Sequence, residues 1–121
     1  MNDCVFCRIV SGSVPAHRVY EDKKFLAFLD IRPLSPGHTL VIPKKHHRFV
    51  WDVVDIGGYF SVVQKVAHAI QKMSGTDEVF MKVIGEEVPH AHVWIFANPD
   101  KATGDKDAFT ANAEKIRQAL E

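Results

Sequence analysis

Tyr59, Val62, Val63, Val66, Ala67, Ile70 and Met73 recur at spacings of three and four, and that stretch most limits the folds open to this chain. Apolar residues so spaced share one helix face, so Gly58 to Met73 reads as an amphipathic helix that needs a surface to cover. Ser74-Gly75 ends it, with glycine in the C-cap role. The surface has to come from short β-rich runs: His17 to Glu21, Phe25 to Asp30, Thr39 to Ile42, Val79 to Ile84 and His90 to Phe96. Glu21-Asp22-Lys23-Lys24 joins the first two as a hairpin, and Gly85-Glu86-Glu87 turns between the last two. Arg32-Pro33-Leu34-Ser35-Pro36-Gly37 is a loop, and Pro43 stops the third strand. Residues 4–11 are short and partly helical in character, and Phe109, Ala113, Ile116 and Leu120 mark a shorter terminal helix, on the sheet or at a partner. Short turns between strands and one main helix predict an α+β fold with an antiparallel sheet.

At 121 residues the expected organisation is one domain, 1–121, without repeats or linkers. Lys+Arg and Asp+Glu both number 15, which gives no support for bulk electrostatic binding to nucleic acid or membrane. A near-neutral chain also associates readily, so a homo-oligomer is compatible with the composition. The N-terminus lacks a basic segment followed by a long apolar one, and no stretch approaches the ~20 apolar residues of a membrane span. With Cys4 and Cys7 as its only cysteines, the chain is expected in the cytoplasm with reduced thiols.

The chemistry concentrates in Val88-Pro89-His90-Ala91-His92-Val93-Trp94-Ile95-Phe96. Side chains two apart on a strand share a face, so His90, His92 and Trp94 project together while Ala91, Val93 and Ile95 face the core. Buried histidines are costly unless hydrogen-bonded, metal-bound or reactive. Cys4-x-x-Cys7 admits three readings: a redox pair, half a zinc site, or two small buried residues. A structural zinc needs four N/S ligands, for which His46, His47 and His90 are candidates. His38 opens the third strand, either as a half-solvated turn histidine or as a second histidine set beside His92 by strand pairing. His17 and His68 read as ordinary strand-end and helix-surface residues. Asp30 reads as a turn residue accepting backbone hydrogen bonds, or as a carboxylate for the two hydroxyls of a ribose. Arg32, Lys44, Lys45 and Lys82 read as solvated cations.

Together these segments resemble the histidine triad (HIT) superfamily, and within it the Hint-type bacterial proteins. The resemblance is carried by Cys4-Val5-Phe6-Cys7-Arg8-Ile9-Val10, Phe25-Leu26-Ala27-Phe28-Leu29-Asp30-Ile31, Pro33-Leu34-Ser35-Pro36-Gly37-His38-Thr39-Leu40-Val41-Ile42-Pro43-Lys44-Lys45-His46, and Val88-Pro89-His90-Ala91-His92-Val93. It implies a five-stranded antiparallel sheet with one long helix and short terminal helices, paired into a homodimer with a ten-stranded sheet. It implies a covalent nucleotidyl-histidine on His92, formed at the α-phosphate of purine nucleoside phosphoramidates, dinucleoside polyphosphates or similar esters. His38 matches the histidine that supports the nucleophile. Asp30 matches the ribose site, and Phe6, Ile9, Phe28 and Ile31 match the apolar base site. Trp94 falls within the same nucleotide site, where the family carries its third histidine. The resemblance also implies zinc on Cys4, Cys7, His46 and His90, with His47 as an alternative to His46.

Two positions depart from the pattern. Trp94 brings one N–H donor and no exchangeable acid at neutral pH. Glu86 and Glu87 stand where a phosphate would be repelled unless a cation offsets them. The leading expectation is a hydrolase or transferase. The alternative is a zinc-braced nucleotide-binding or interaction module with little turnover.

Overall fold

The computed structural model describes residues 4–83 and 88–121. Helix α1 spans Val5–Ser11, strands β1 to β3 span Arg18–Glu21, Phe25–Leu29 and Thr39–Pro43, and a 3-10 turn covers Val50–Asp52. Helix α2 is Ile56–Ser74, strands β4 and β5 are Val79–Val83 and Val93–Ala97, and helix α3 is Phe109–Leu120. The strands form one five-stranded sheet in the order β1-β2-β3-β5-β4 with every neighbouring pair antiparallel. This is the predicted α+β architecture, and the unbroken apolar runs of β2 and β3 reflect burial on both faces.

One face carries α2 and α3. There Phe25, Ala27, Val41, Val93 and Ile95 meet Val62, Val66, Ile70 and Ile116 in the larger core. Tyr59 anchors α2 to the sheet by donating its hydroxyl to the Val41 carbonyl at 2.7 Å. The terminal helix lies on α2 and β1, where Arg117 Nη1 donates to the Arg18 carbonyl at 2.6 Å. The other face carries α1, whose Phe6 and Ile9 pack with Leu26, Phe28, Leu40 and Ile42. Gly37 lets the β2–β3 connection pass under α2: its φ is +84°, and a Cβ there would lie 2.9 Å from Met73 Sδ.

Several boundaries shift from the sequence expectation, each for a local reason. Helix α2 starts at Ile56, ahead of Gly58, because Asp55 Oδ1 accepts the Gly58 N–H at 3.0 Å and caps the first turn. The last strand starts at Val93 instead of His90. The His90 N–H turns back to the Val88 carbonyl at 2.7 Å, and the Ala91 N–H goes to the His47 carbonyl at 2.6 Å. Backbone donors spent there cannot enter the β3 ladder. The expected facing survives, since Ala91 joins the α2-side core while Phe6 touches the rings of both His90 and His92. The Gly85-Glu86-Glu87 turn and Ile84 lie outside the described residues.

Candidate functional site

Between α1 and the sheet lies a cavity of about 400 Å³. Its lining unites residues far apart in sequence: Phe6 and Ile9 from α1, Phe28 from β2, Asp30 and Ile31 after it, and His92 and Trp94 at β5. All six expected nucleotide-site residues and His92 therefore meet in one place.

His92 is buried at the cavity wall against Phe6, ring centroids 5.1 Å apart. Its Nδ1 stands 2.8 Å from the His90 carbonyl oxygen. A carbonyl only accepts, so Nδ1 carries the proton and the neutral ring keeps its lone pair on Nε2. A backbone group thus fixes the tautomer a nucleophile requires.

Asp30 adopts the turn role and keeps acceptor capacity as well. Its Oδ1 accepts the Arg32 N–H at 2.9 Å, while Oδ2 lies 3.6 Å from His38 Nε2. Strand register places His38 beside the aromatic residues of β5: Thr39 pairs with Ile95, which sets the His38 ring against Phe96 and Trp94, with centroids 5.0 and 5.3 Å away. The Leu34 N–H donates to His38 Nδ1 at 3.0 Å, so the remaining proton sits on Nε2, facing Asp30. Burial pushes His38 down to about 4, opposed by the nearby Asp30 carboxyl and reinforced by Lys82. The pair is a neutral imidazole beside an acceptor oxygen rather than an ion pair.

Trp94 sits opposite Leu40 on one side and Lys82 on the other, with Lys82 Nζ 5.3 Å from its ring centroid. Its Nε1 is buried without a hydrogen-bond partner. Of the other cations, Lys44 pairs with Glu21 at 2.6 Å and Arg32 lines the cavity. His17 stacks on Phe109 and His68 lies exposed on α2, as ordinary residues would.

Cys4, Cys7, His46 and His90, none of which lines the cavity, bring their ligand atoms within 4.8 Å of one another, a cluster that can hold a metal ion. His90 Nδ1 lies 3.3 Å from Cys4 Sγ and 3.4 Å from Cys7 Sγ, and His46 Nδ1 lies 3.2 Å from Cys7 Sγ. His90 Nε2 donates to the Pro43 carbonyl at 2.8 Å, which frees Nδ1 for the cluster. Burial lowers His90 to about 4 despite that carbonyl, so its ring is neutral, as a ligand must be. Between the two expected alternatives, His46 joins the cluster, while His47 contributes a backbone carbonyl to Ala91.

Sequence reasoning missed Leu40 and Val88, which also line the cavity, and the carbonyls of Pro43 and His90. Same-face alternation with Ile42 was a signal for Leu40. The two carbonyls leave no trace in residue identity.

A histidine delivered into a ligand-sized cavity at the start of an inner strand of an antiparallel sheet, with a thiol–imidazole cluster nearby, defines a class of small α+β proteins. Residues 11–101 match the HIT domain, and the chain belongs to that family. An uncharacterised HIT-like protein of Mycobacterium tuberculosis is 63% identical over 107 residues, 81% of this chain and 74% of that protein. An adenylylsulfatase of Arabidopsis thaliana is 35% identical, over 98% of this chain and 61% of that protein. An adenosine 5′-monophosphoramidase of Saccharomyces cerevisiae is 30% identical, over 84% of this chain and 66% of that protein. The crystal structure of a Zn-bound histidine triad family protein from Mycobacterium smegmatis superposes with a TM-score of 0.84 at 38% identity, over 98% of this chain and 93% of that one. Among the described residues no helix is long and apolar enough to cross a membrane.

Proposed function

We propose that this protein is a nucleotidyl hydrolase or transferase of the Hint-type branch, a single domain over 1–121, acting at the α-phosphate of purine nucleotide conjugates. Phosphoramidates, dinucleoside polyphosphates and similar esters are the substrate class. The carrying observation is the His92 tautomer: Nδ1–H held by the His90 carbonyl, with the Nε2 lone pair left to attack phosphorus. Attack there yields a nucleotidyl-histidine, which water or an acceptor resolves, splitting one hard displacement into two easier ones. Asp30 Oδ2 receives the ribose hydroxyls, and Phe6, Ile9, Phe28 and Ile31 supply apolar walls for the base. His38 acts as a positioning residue through Asp30 and Trp94. Relatives named for adenylyl sulfate and adenosine monophosphoramidate hydrolysis support a hydrolase at moderate identity.

Zinc is the metal that suits the Cys₂His₂ cluster. Tetrahedral bonds of about 2.3 Å to sulfur and 2.0 Å to nitrogen separate S and N ligands by about 3.5 Å, close to the spacings in this cluster. The closed four-ligand set leaves no open position, so the ion would brace α1 and take no part in the chemistry. We further infer a cytoplasmic homodimer paired through β4, the sheet edge that exposes Phe80, Met81 and Val83.

A single-turnover reaction with radiolabelled adenosine conjugates tests the central step. A covalent adenylyl adduct that disappears in His92→Ala is the expected result. Tight AMP binding with no adduct from any leaving group would refute it.

A further inference from the structure

We propose that Lys82 is the general acid of this site, protonating an amine leaving group as its bond to phosphorus breaks. The same side chain then serves as general base towards the water that resolves the adduct. This rests on His92 as nucleophile and adds the residue that handles the proton.

When Nε2 of His92 attacks phosphorus, the bond to the leaving nitrogen breaks and its electron pair stays on that nitrogen. An amide anion is too basic to depart, so a proton has to arrive as the bond breaks. His92 does not supply it, because its one ring proton is held by the His90 carbonyl at 2.8 Å. Trp94 follows on the same face, and an indole N–H does not ionise at neutral pH.

Strand order directs the leaving group. Walls for the base come from α1 and β2, Asp30 follows β2, Leu40 adds β3, and His92 and Trp94 stand at β5. In the order β1-β2-β3-β5-β4, a nucleotide with its base over β2 and its phosphate at His92 points its leaving group towards β4. Lys82 belongs to that strand. It pairs with Trp94 across the ladder, and paired residues share a sheet face, so its side chain rises on the cavity side. Nζ stands 5.3 Å from the centroid of the Trp94 ring, which is itself cavity wall.

Among the described residues, two titratable side chains meet that ring, His38 and Lys82. His38 is buried, with Nδ1 occupied by the Leu34 N–H and Nε2–H turned to Asp30. Lys82 is exposed, and among the described residues its ammonium enters no hydrogen bond or ion pair. The ring face keeps the charge nearby without engaging a donor, and the flexible stem leaves the ammonium room to turn. An ammonium and a departing alkylamine hold a proton about equally, so transfer becomes favourable only as the P–N bond breaks.

The cycle balances. The Lys82 ammonium gives one proton to the leaving nitrogen, the amine departs, and adenylyl-His92 and a neutral lysine remain. Water adds to phosphorus and yields a proton to that lysine, while the bond from phosphorus to His92 breaks and its electron pair returns to Nε2. The products are AMP and the amine, and both side chains end as they began.

The test follows adduct formation in single turnovers of the metal-loaded protein. The substrates are adenosine 5′-phosphoramidate and the 4-nitrophenyl ester of AMP, whose phenolate leaves without a proton. Lys82→Arg keeps the charge but holds its proton, and Lys82→Met loses both. Each variant should lower the ratio of the phosphoramidate rate to the ester rate by about 10²–10⁴-fold. A ratio unmoved in either variant would overturn the proposal, and the ester adduct would still mark His92 as nucleophile. If Lys82→Met fails to fold, Lys82→Arg decides alone. If neither substrate gives an adduct in wild type, the nucleophile reading falls and this proposal with it.

Discussion

His38 shows how a buried ionisable group restricts the conditions under which the site stands. Its folded value of about 4 lies below the ordinary 6.5, so the unfolded chain binds more protons between those values. Stability is therefore complete above pH 6.5 and falls as pH drops towards 4, by roughly 3 kcal/mol across the window. Ring carbon shifts in a histidine NMR titration should keep His38 neutral at pH 5, and urea midpoints should decline over the same range. A His38 ring titrating near 6.5 would contradict the burial. Asp30 offers a second test. Asp30→Asn keeps the oxygen that accepts the Arg32 N–H but loses a charged acceptor, so AMP should bind about 10–100-fold more weakly. Calorimetry with 2′,3′-dideoxy-AMP should show little change, because that ligand has no hydroxyls to lose. Equal losses for both ligands would point to misfolding instead of ribose recognition.

The β2–β3 connection depends on one glycine. At a φ of +84°, and with Met73 and Ile116 within 3.3 Å of any added Cβ, Gly37→Ala must strain backbone and core together. A loss of about 1–3 kcal/mol in urea denaturation is expected, with the m-value unchanged. Local pattern made most elements legible. The three-and-four spacing gave the interior of α2, and alternation gave the two faces of the histidine segment. The ends were less visible. Ile56-Gly57-Gly58 reads as a break until the Asp55 carboxylate is seen holding the Gly58 N–H. The late start of β5 depends on backbone donors spent on Val88 and His47, and no side-chain pattern encodes that. The placement of β3 beside β5 is a long-range pairing, and with it the setting of the His38 ring against Phe96 and Trp94, which no local pattern encodes.

Helix α1 ties the Cys/His cluster to the cavity, because one seven-residue element supplies Cys7 to the first and Phe6 and Ile9 to the second. A helix that short does not persist alone in water. Chelation, or Cys7→Ser, should therefore lower Tm by several degrees and weaken AMP binding, though no ion touches substrate. Metal analysis should give about one zinc ion per chain before chelation. The exposed β4 edge gives the assembly test: light scattering should report a dimer, and Met81→Arg should yield monomer. The family motif picked out Cys4, Cys7, His46 and His90, which the structure brings into one cluster, but not Leu40 or Val88 of the cavity wall. It did not reveal what orients them, because the orienting groups are the carbonyls of Pro43 and His90.

That division within His90 has a genetic consequence. Its imidazole serves the cluster, while its peptide oxygen sets the tautomer of His92, and no codon change removes a peptide oxygen. A lineage could drift at position 90, lose the cluster and still inherit His92 in the same tautomer. Side-chain scanning would credit the residue with half of what it does.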